Sequence, residues 1–220
     1  MIYTFMKVKE IFVSHADTTK AEAMSKYMRF LFPFYGIATP LRRELTRPII
    51  REFKRQEEID WDFLSKCYED PHREMHYLAL DALLSIRKKL LHEHLPKLFP
   101  FVKQHQWWDS IDVLDGILGE IARKDPRTKT LLRNWAEEED FWLRRIAINH
   151  QLEYKEETDT ELLEYAITKN FGNDEFFINK AIGWSLREYS KTHSQWVRDF
   201  IQRHEEYMSP LSLREAKKYL

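Results

Sequence analysis

A repeat of about 34 residues constrains this chain more than any other feature. Glu74-Met75-His76-Tyr77-Leu78-Ala79, Trp108-Asp109-Ser110-Ile111-Asp112-Val113, Trp142-Leu143-Arg144-Arg145-Ile146-Ala147 and Phe177-Ile178-Asn179-Lys180-Ala181-Ile182 share one pattern. Their first residues are 34, 34 and 35 positions apart, and three of the four begin with an aromatic. Roughly midway, each unit meets a polar or punctuating run: His92 to Pro96, Lys124 to Arg127, Glu156 to Asp159 and Lys191 to Ser194. Each unit therefore reads as helix, break, helix. One such pair cannot cover its own apolar face, so neighbours must stack into a shared core. The expected fold is all-α, an α-solenoid of helical repeats.

Composition agrees. Five glycines and eight prolines in 220 residues leave few turns, and Leu, Glu, Lys, Arg and Ala are plentiful. One cysteine, Cys67, excludes an intramolecular disulfide and points to a reducing compartment, so a cytoplasmic location is expected. No apolar run is long enough to span a membrane. The net charge of −1 gives no global pull toward nucleic acid, so such a partner must meet a local patch.

Before residue 70 the period weakens. Helices are expected from Asp17 to Phe34, from Leu41 toward Arg55 with Thr39 as N-cap, and from Ile59 to Tyr68. After the Ser209-Pro210 break, a last helix is expected over Leu213–Leu220. No linker rich in Gly, Ser or Pro interrupts the chain, so residues 1–220 read as a single helical-repeat domain.

Trp108 and Asp112 are four apart and share a helical face, placing an indole beside a carboxylate. Asp109 is an equal candidate by spacing. Lys180, Trp184, Arg187 and Lys191 form a stripe of three cations around an indole, which suits phosphates and a sugar or base. Such a stripe is more often a solvated face, but an indole among the charges argues for a partner. Trp142 reads as core, and one of Arg144 and Arg145 must face outward, because adjacent residues do not share a face. His72 and His76 lack the order of the zinc-protease motif, and no metal site is expected.

Taken together, Trp107-Trp108-Asp109-Ser110-Ile111-Asp112, Trp142-Leu143-Arg144-Arg145 and Lys180 through Tyr189 resemble the AlkD family of bacterial alkylpurine DNA glycosylases. Ala21-Glu22 through Tyr27-Met28, Gly36 through Pro40, and Pro210 through Ala216 extend the likeness in order over nearly the whole chain. The resemblance implies HEAT-like repeats with a concave face for duplex DNA, and hydrolysis of the N-glycosidic bond of cationic N3- or N7-alkylated purines without base flipping. It selects Asp112 over Asp109 as the carboxylate that stabilises the sugar cation and places water. Trp108 and Trp184 would pack against the sugar, and Arg145 would hold backbone phosphate. Lys180, Arg187, Lys191, Tyr27 and Thr39 complete the expected DNA contacts. No cofactor is expected, nor lyase chemistry from Lys180 or Lys191, and a monomer suffices. Ala38 departs from the longer polar residue expected before Thr39. A DNA-binding module without chemistry and a protein-binding scaffold are the competing readings.

Overall fold

The computed structural model describes residues 3–220, and every regular element among them is helical. The chain divides into two compact units, Met1–Arg87 and Lys88–Leu220. No compositional break marks the division, which is why the sequence reads as one continuous domain. No helix among the described residues is long and apolar enough to cross a membrane.

The first unit holds α1 (Phe5–Ser14), α2 (Thr18–Tyr27), α3 (Thr39–Arg55), α4 (Trp61–Glu69) and α5 (Arg73–Ser85). The helix expected over Asp17–Phe34 stops at Tyr27. The Phe30 N–H bonds the Ser25 carbonyl and the Arg29 N–H the Lys26 carbonyl, while Arg29 adopts φ 56°. This is a Schellman closure made without glycine, so its usual sequence signal is missing. Residues 28–38 are then held from α5. The Arg73 guanidinium stacks 3.9 Å from Phe32, and the Arg73 N–H bonds the Pro33 carbonyl. Glu74, fully buried, accepts the backbone N–H groups of Tyr35, Gly36 and Ile37 at 2.9–3.1 Å. Gly36 has φ 86°, and a Cβ there would lie 2.0 Å from the Asp17 carbonyl oxygen. Only glycine fits.

The loop delivers the chain to α3 one residue earlier than the sequence suggests: Ala38 is the N-cap, with no side-chain bond, and Thr39 is already helical. His72 and His76 serve structure. The buried His76 shares an Nε2 hydrogen bond with the Asp70 carbonyl, and His72 stacks on Tyr35 at 3.9 Å.

The second unit follows the repeat. Its helices are α6 (Leu95–Lys103), α7 (Trp108–Ala122), α8 (Pro126–Trp135), α9 (Phe141–Asn149), α10 (Thr160–Thr168), α11 (Phe176–His204) and α12 (Pro210–Ala216). α7 packs on α8 and α9, α9 on α10 and α11, and α11 on α12, the neighbour-to-neighbour order of an α-solenoid. Acidic N-caps start four consecutive helices: Asp125, Asp140, Asp159 and Glu175 each accept a backbone N–H of the first turn. The fourth break expected from the period does not end a helix. It appears as a kink at His193, whose φ of −132° and ψ of 59° are non-helical inside α11. The last helix begins at Pro210 rather than Leu213, because the Ser209 side chain caps it by accepting from the Ser212 N–H.

Glu74→Gln puts an amide where three buried N–H groups need an acceptor. A loss of about 3 kcal/mol is expected, visible as a lower unfolding midpoint in calorimetry. An unchanged midpoint would remove Glu74 as the anchor of the 28–38 loop.

Candidate functional site

Three helices of the second unit meet at one side chain. Arg145 on α9 is 1% exposed. Its Nε donates to Asp112 Oδ1 on α7 at 2.9 Å, its Nη2 lies 2.8 Å from the same oxygen, and its Nη1 donates to the Phe177 carbonyl on α11 at 2.6 Å. The guanidinium is buried and committed to a carboxylate and a carbonyl, while its neighbour Arg144 is the more exposed of the pair. Trp142, as expected, is core.

Asp112 is placed differently. Both guanidinium contacts fall on Oδ1, so Oδ2 has no protein partner among the described residues, and the side chain is 23% exposed. The protein thus fixes one oxygen and leaves the other toward solvent. Burial raises the Asp112 pKa above the ordinary carboxylate value; Arg145 opposes this, and Asp109 adds a small push upward.

Asp115, one turn further along α7, is a residue that the sequence reading missed. It is 3% exposed, and its Oδ2 has no hydrogen-bond partner among the described residues. Burial first, then the charge of Asp112, lift its pKa well above the usual range. The contacts of the Arg145 guanidinium go to Asp112 and not to this deeper carboxyl. The signal was the i, i+3 spacing of two aspartates on a helix whose next residues are apolar.

The indoles pack on the same helices. Trp107 packs edge-on against Trp142 at 5.9 Å and Phe177 at 5.2 Å, while Trp108 and Trp184 are half-buried. Trp184 has three cations within cation–π range: Arg145 at 5.5 Å, Arg187 at 5.6 Å and Lys180 at 5.7 Å.

The expected stripe on α11 is present but partly neutralised. Lys180 lies 2.8 Å from Glu215 Oε1, and Arg187 lies 3.0 Å from Oε2, where Lys218 also binds at 2.8 Å. Burial alone would raise the Glu215 pKa, but hydrogen bonds from Lys180 and Lys218 and their charges win, leaving it at about 2. Lys191 stands apart: it is exposed, pairs with Glu188 at 2.7 Å and lies over Tyr219. Glu215 reaches the stripe because Gly183 lets α12 come close. A Cβ at Gly183 would lie 2.5 Å from Glu215 Cβ and 3.0 Å from the Ser212 carbonyl oxygen.

Asp112, Trp184, Arg145, Lys180 and Arg187 are therefore linked by direct contacts, with Trp108 on the Asp112 face of α7. Tyr27 and Thr39 are exposed residues of the first unit. No cluster of three or more metal-ligating side chains occurs among the described residues.

Glu215→Gln should cost about 3 kcal/mol at neutral pH, from a pKa displaced from 4.5 to about 2. Because the folded-state pKa is the lower one, this stability is present above about pH 4.5 and is lost as pH falls toward 2. Wild type and variant should therefore converge in unfolding midpoint over that window; a constant gap would deny the carboxylate its role.

The profile of the DNA alkylation repair enzyme family matches residues 8–220. A predicted DNA alkylation repair enzyme from Enterococcus faecalis is 36% identical, with 93% of this chain and 96% of that one covered and a TM-score of 0.82. Smu.31 from Streptococcus mutans UA159 superposes with a TM-score of 0.61 over 82% of this chain and 96% of its own, at 13% identity, and so shares the fold. No functionally curated protein matches the chain.

Proposed function

From the chain's membership of the DNA alkylation repair enzyme family, we propose that it is a monofunctional glycosylase that hydrolyses the N-glycosidic bond of cationic N3- or N7-alkylated purines in duplex DNA. The observation that carries this reading is the half-held carboxylate: Arg145, itself 5.5 Å from the Trp184 ring, fixes Asp112 through Oδ1 and leaves Oδ2 without a partner among the described residues.

A cationic purine leaves as a neutral base, taking both electrons of the C1′–N bond, so no general acid is needed. What needs help is the positive charge that develops on the sugar. The ionised Asp112 faces that charge, and Trp108 and Trp184 supply apolar walls against the sugar ring. Water adds to C1′ and loses a proton, giving the abasic site. A carboxylate about 4 Å from a unit positive charge contributes about 4 kcal/mol at an effective dielectric of about 20. Arg145 screens part of this while fixing the geometry. The arrangement parallels the carboxylate of glycosidases that faces an oxocarbenium-like sugar.

Arg145 is a positioning residue in this scheme, not a phosphate contact. Lys191, Lys180 and Arg187 remain the candidates for phosphate on α11, the last two by exchanging Glu215 for backbone oxygens. Tyr27 and Thr39 are exposed and open to DNA from the first unit. Base flipping is not required, since the groups gathered here address the sugar and backbone. A monomer acting on DNA in the cytoplasm fits this reading.

Single-turnover release of 7-methylguanine from duplex DNA tests it. Wild type should release base, and Asp112→Asn should be slower by at least about tenfold while retaining duplex affinity. No release by wild type would sink the enzyme reading and favour a DNA-binding module, for which the neutralising Arg145–Asp112 pair is the supporting observation. Equal release by Asp112→Asn would take Asp112 out of the centre. Since burial lifts the Asp112 pKa, the wild-type rate should begin to fall, as pH drops, above the ordinary aspartate value of 3.8.

A further inference from the structure

The most strongly unbalanced charge in the first unit lies on α3. The segment Thr39–Arg55 carries six cations against Glu44 and Glu52, in a chain whose net charge is −1. Its buried face is formed by Arg42, Thr46, Ile49 and Phe53. At about 100° per residue, Arg43, Arg47, Arg51 and Arg55 fall between about 90° and 210° from the direction of that face. All four are exposed.

These arginines differ from most cations of the proposed site. Arg145, Lys180, Arg187 and Lys191 each have a carboxylate partner. Even Arg42, on the same helix, is paired with Asp81. Among the described residues, the side chains of Arg43, Arg47, Arg51 and Arg55 have no ion pair, hydrogen bond or aromatic contact. Glu44 is exposed on the same side but pairs with none of them.

Four uncompensated arginines rise by about 6 Å per step along about 18 Å of a helix that contains Pro48. Like charges held in a row are unfavourable in isolation and become favourable beside a polyanion. Their spacing suits the phosphates of one strand, and the planar forks of arginine suit phosphate oxygens. No aromatic or amide side chain interrupts the row to read bases, so the surface fits the backbone of undamaged duplex.

We propose that the outward face of α3 is a docking surface for the DNA backbone, with Arg43, Arg47, Arg51 and Arg55 bound to phosphates independently of any lesion. The proposal rests on the reading that duplex DNA is the substrate, but on none of the groups at Asp112.

Binding of the full chain to a lesion-free duplex, measured between about 50 and 200 mM salt, tests it. Arg47→Gln/Arg51→Gln should make the slope of log affinity against log salt shallower by about 2, with equal loss on duplexes of different sequence. Glu44→Gln, which removes the one acid on this side, should tighten binding about threefold. The second variant keeps the test decisive if the first unfolds. An unchanged slope in the double variant, with no gain from Glu44→Gln, overturns the surface even if wild type releases 7-methylguanine. The expected shifts in a protein that releases no base support the surface and remove the glycosylase instead. Unchanged duplex binding together with lost binding to phosphatidylglycerol vesicles would overturn the proposal in favour of a membrane partner.

Discussion

The Arg145 guanidinium is the point on which the second unit depends. It fastens α9 to α7 through Asp112 and to α11 through the Phe177 carbonyl. A buried charge of this kind is expensive unless every direction is answered. Here the answers come from a carboxylate, a carbonyl and the faces of Trp184 and Phe177. One side chain thereby sets the mutual position of three helices and the orientation of the carboxylate that chemistry would use. The same contact that stabilises the stack fixes one oxygen of Asp112.

A second hub sits beside it. Glu215 gathers Lys180, Arg187 and Lys218, and Gly183 permits the close approach that brings it there. Trp184 lies between the hubs, within range of Arg145 from one and of Lys180 and Arg187 from the other. The indole that looked out of place among charges is the wall common to both. The first unit solves a related problem with Glu74, which answers three backbone N–H groups so that Gly36 can turn the chain into α3. In each case a buried carboxylate is tolerable because donors converge on it.

Much of the fold was legible. The openings at Glu74, Trp108, Trp142 and Phe177 fall within one residue of the starts of α5, α7, α9 and α11. The misses share a cause. Tyr27 ends α2 through a Schellman closure with a non-glycine residue at positive φ, and His193 kinks α11 without proline or glycine. Neither leaves a compositional mark. The α3 arginines were visible at four-residue spacing but were overshadowed by the α11 stripe, because sequence shows which cations are present and not which have been neutralised.

The site divides the same way. The 34-residue period, the absence of strand patterning and the shared face of Trp108 and Asp112 follow from the order of residues, since helical periodicity is a local property. The choice between Arg144 and Arg145, the buried neighbour Asp115 and the free Oδ2 of Asp112 were decided by packing. Burial and pairing depend on residues some 30 positions away, so only the stacked helices could determine that Arg145 is buried and bonded to Asp112 and the Phe177 carbonyl.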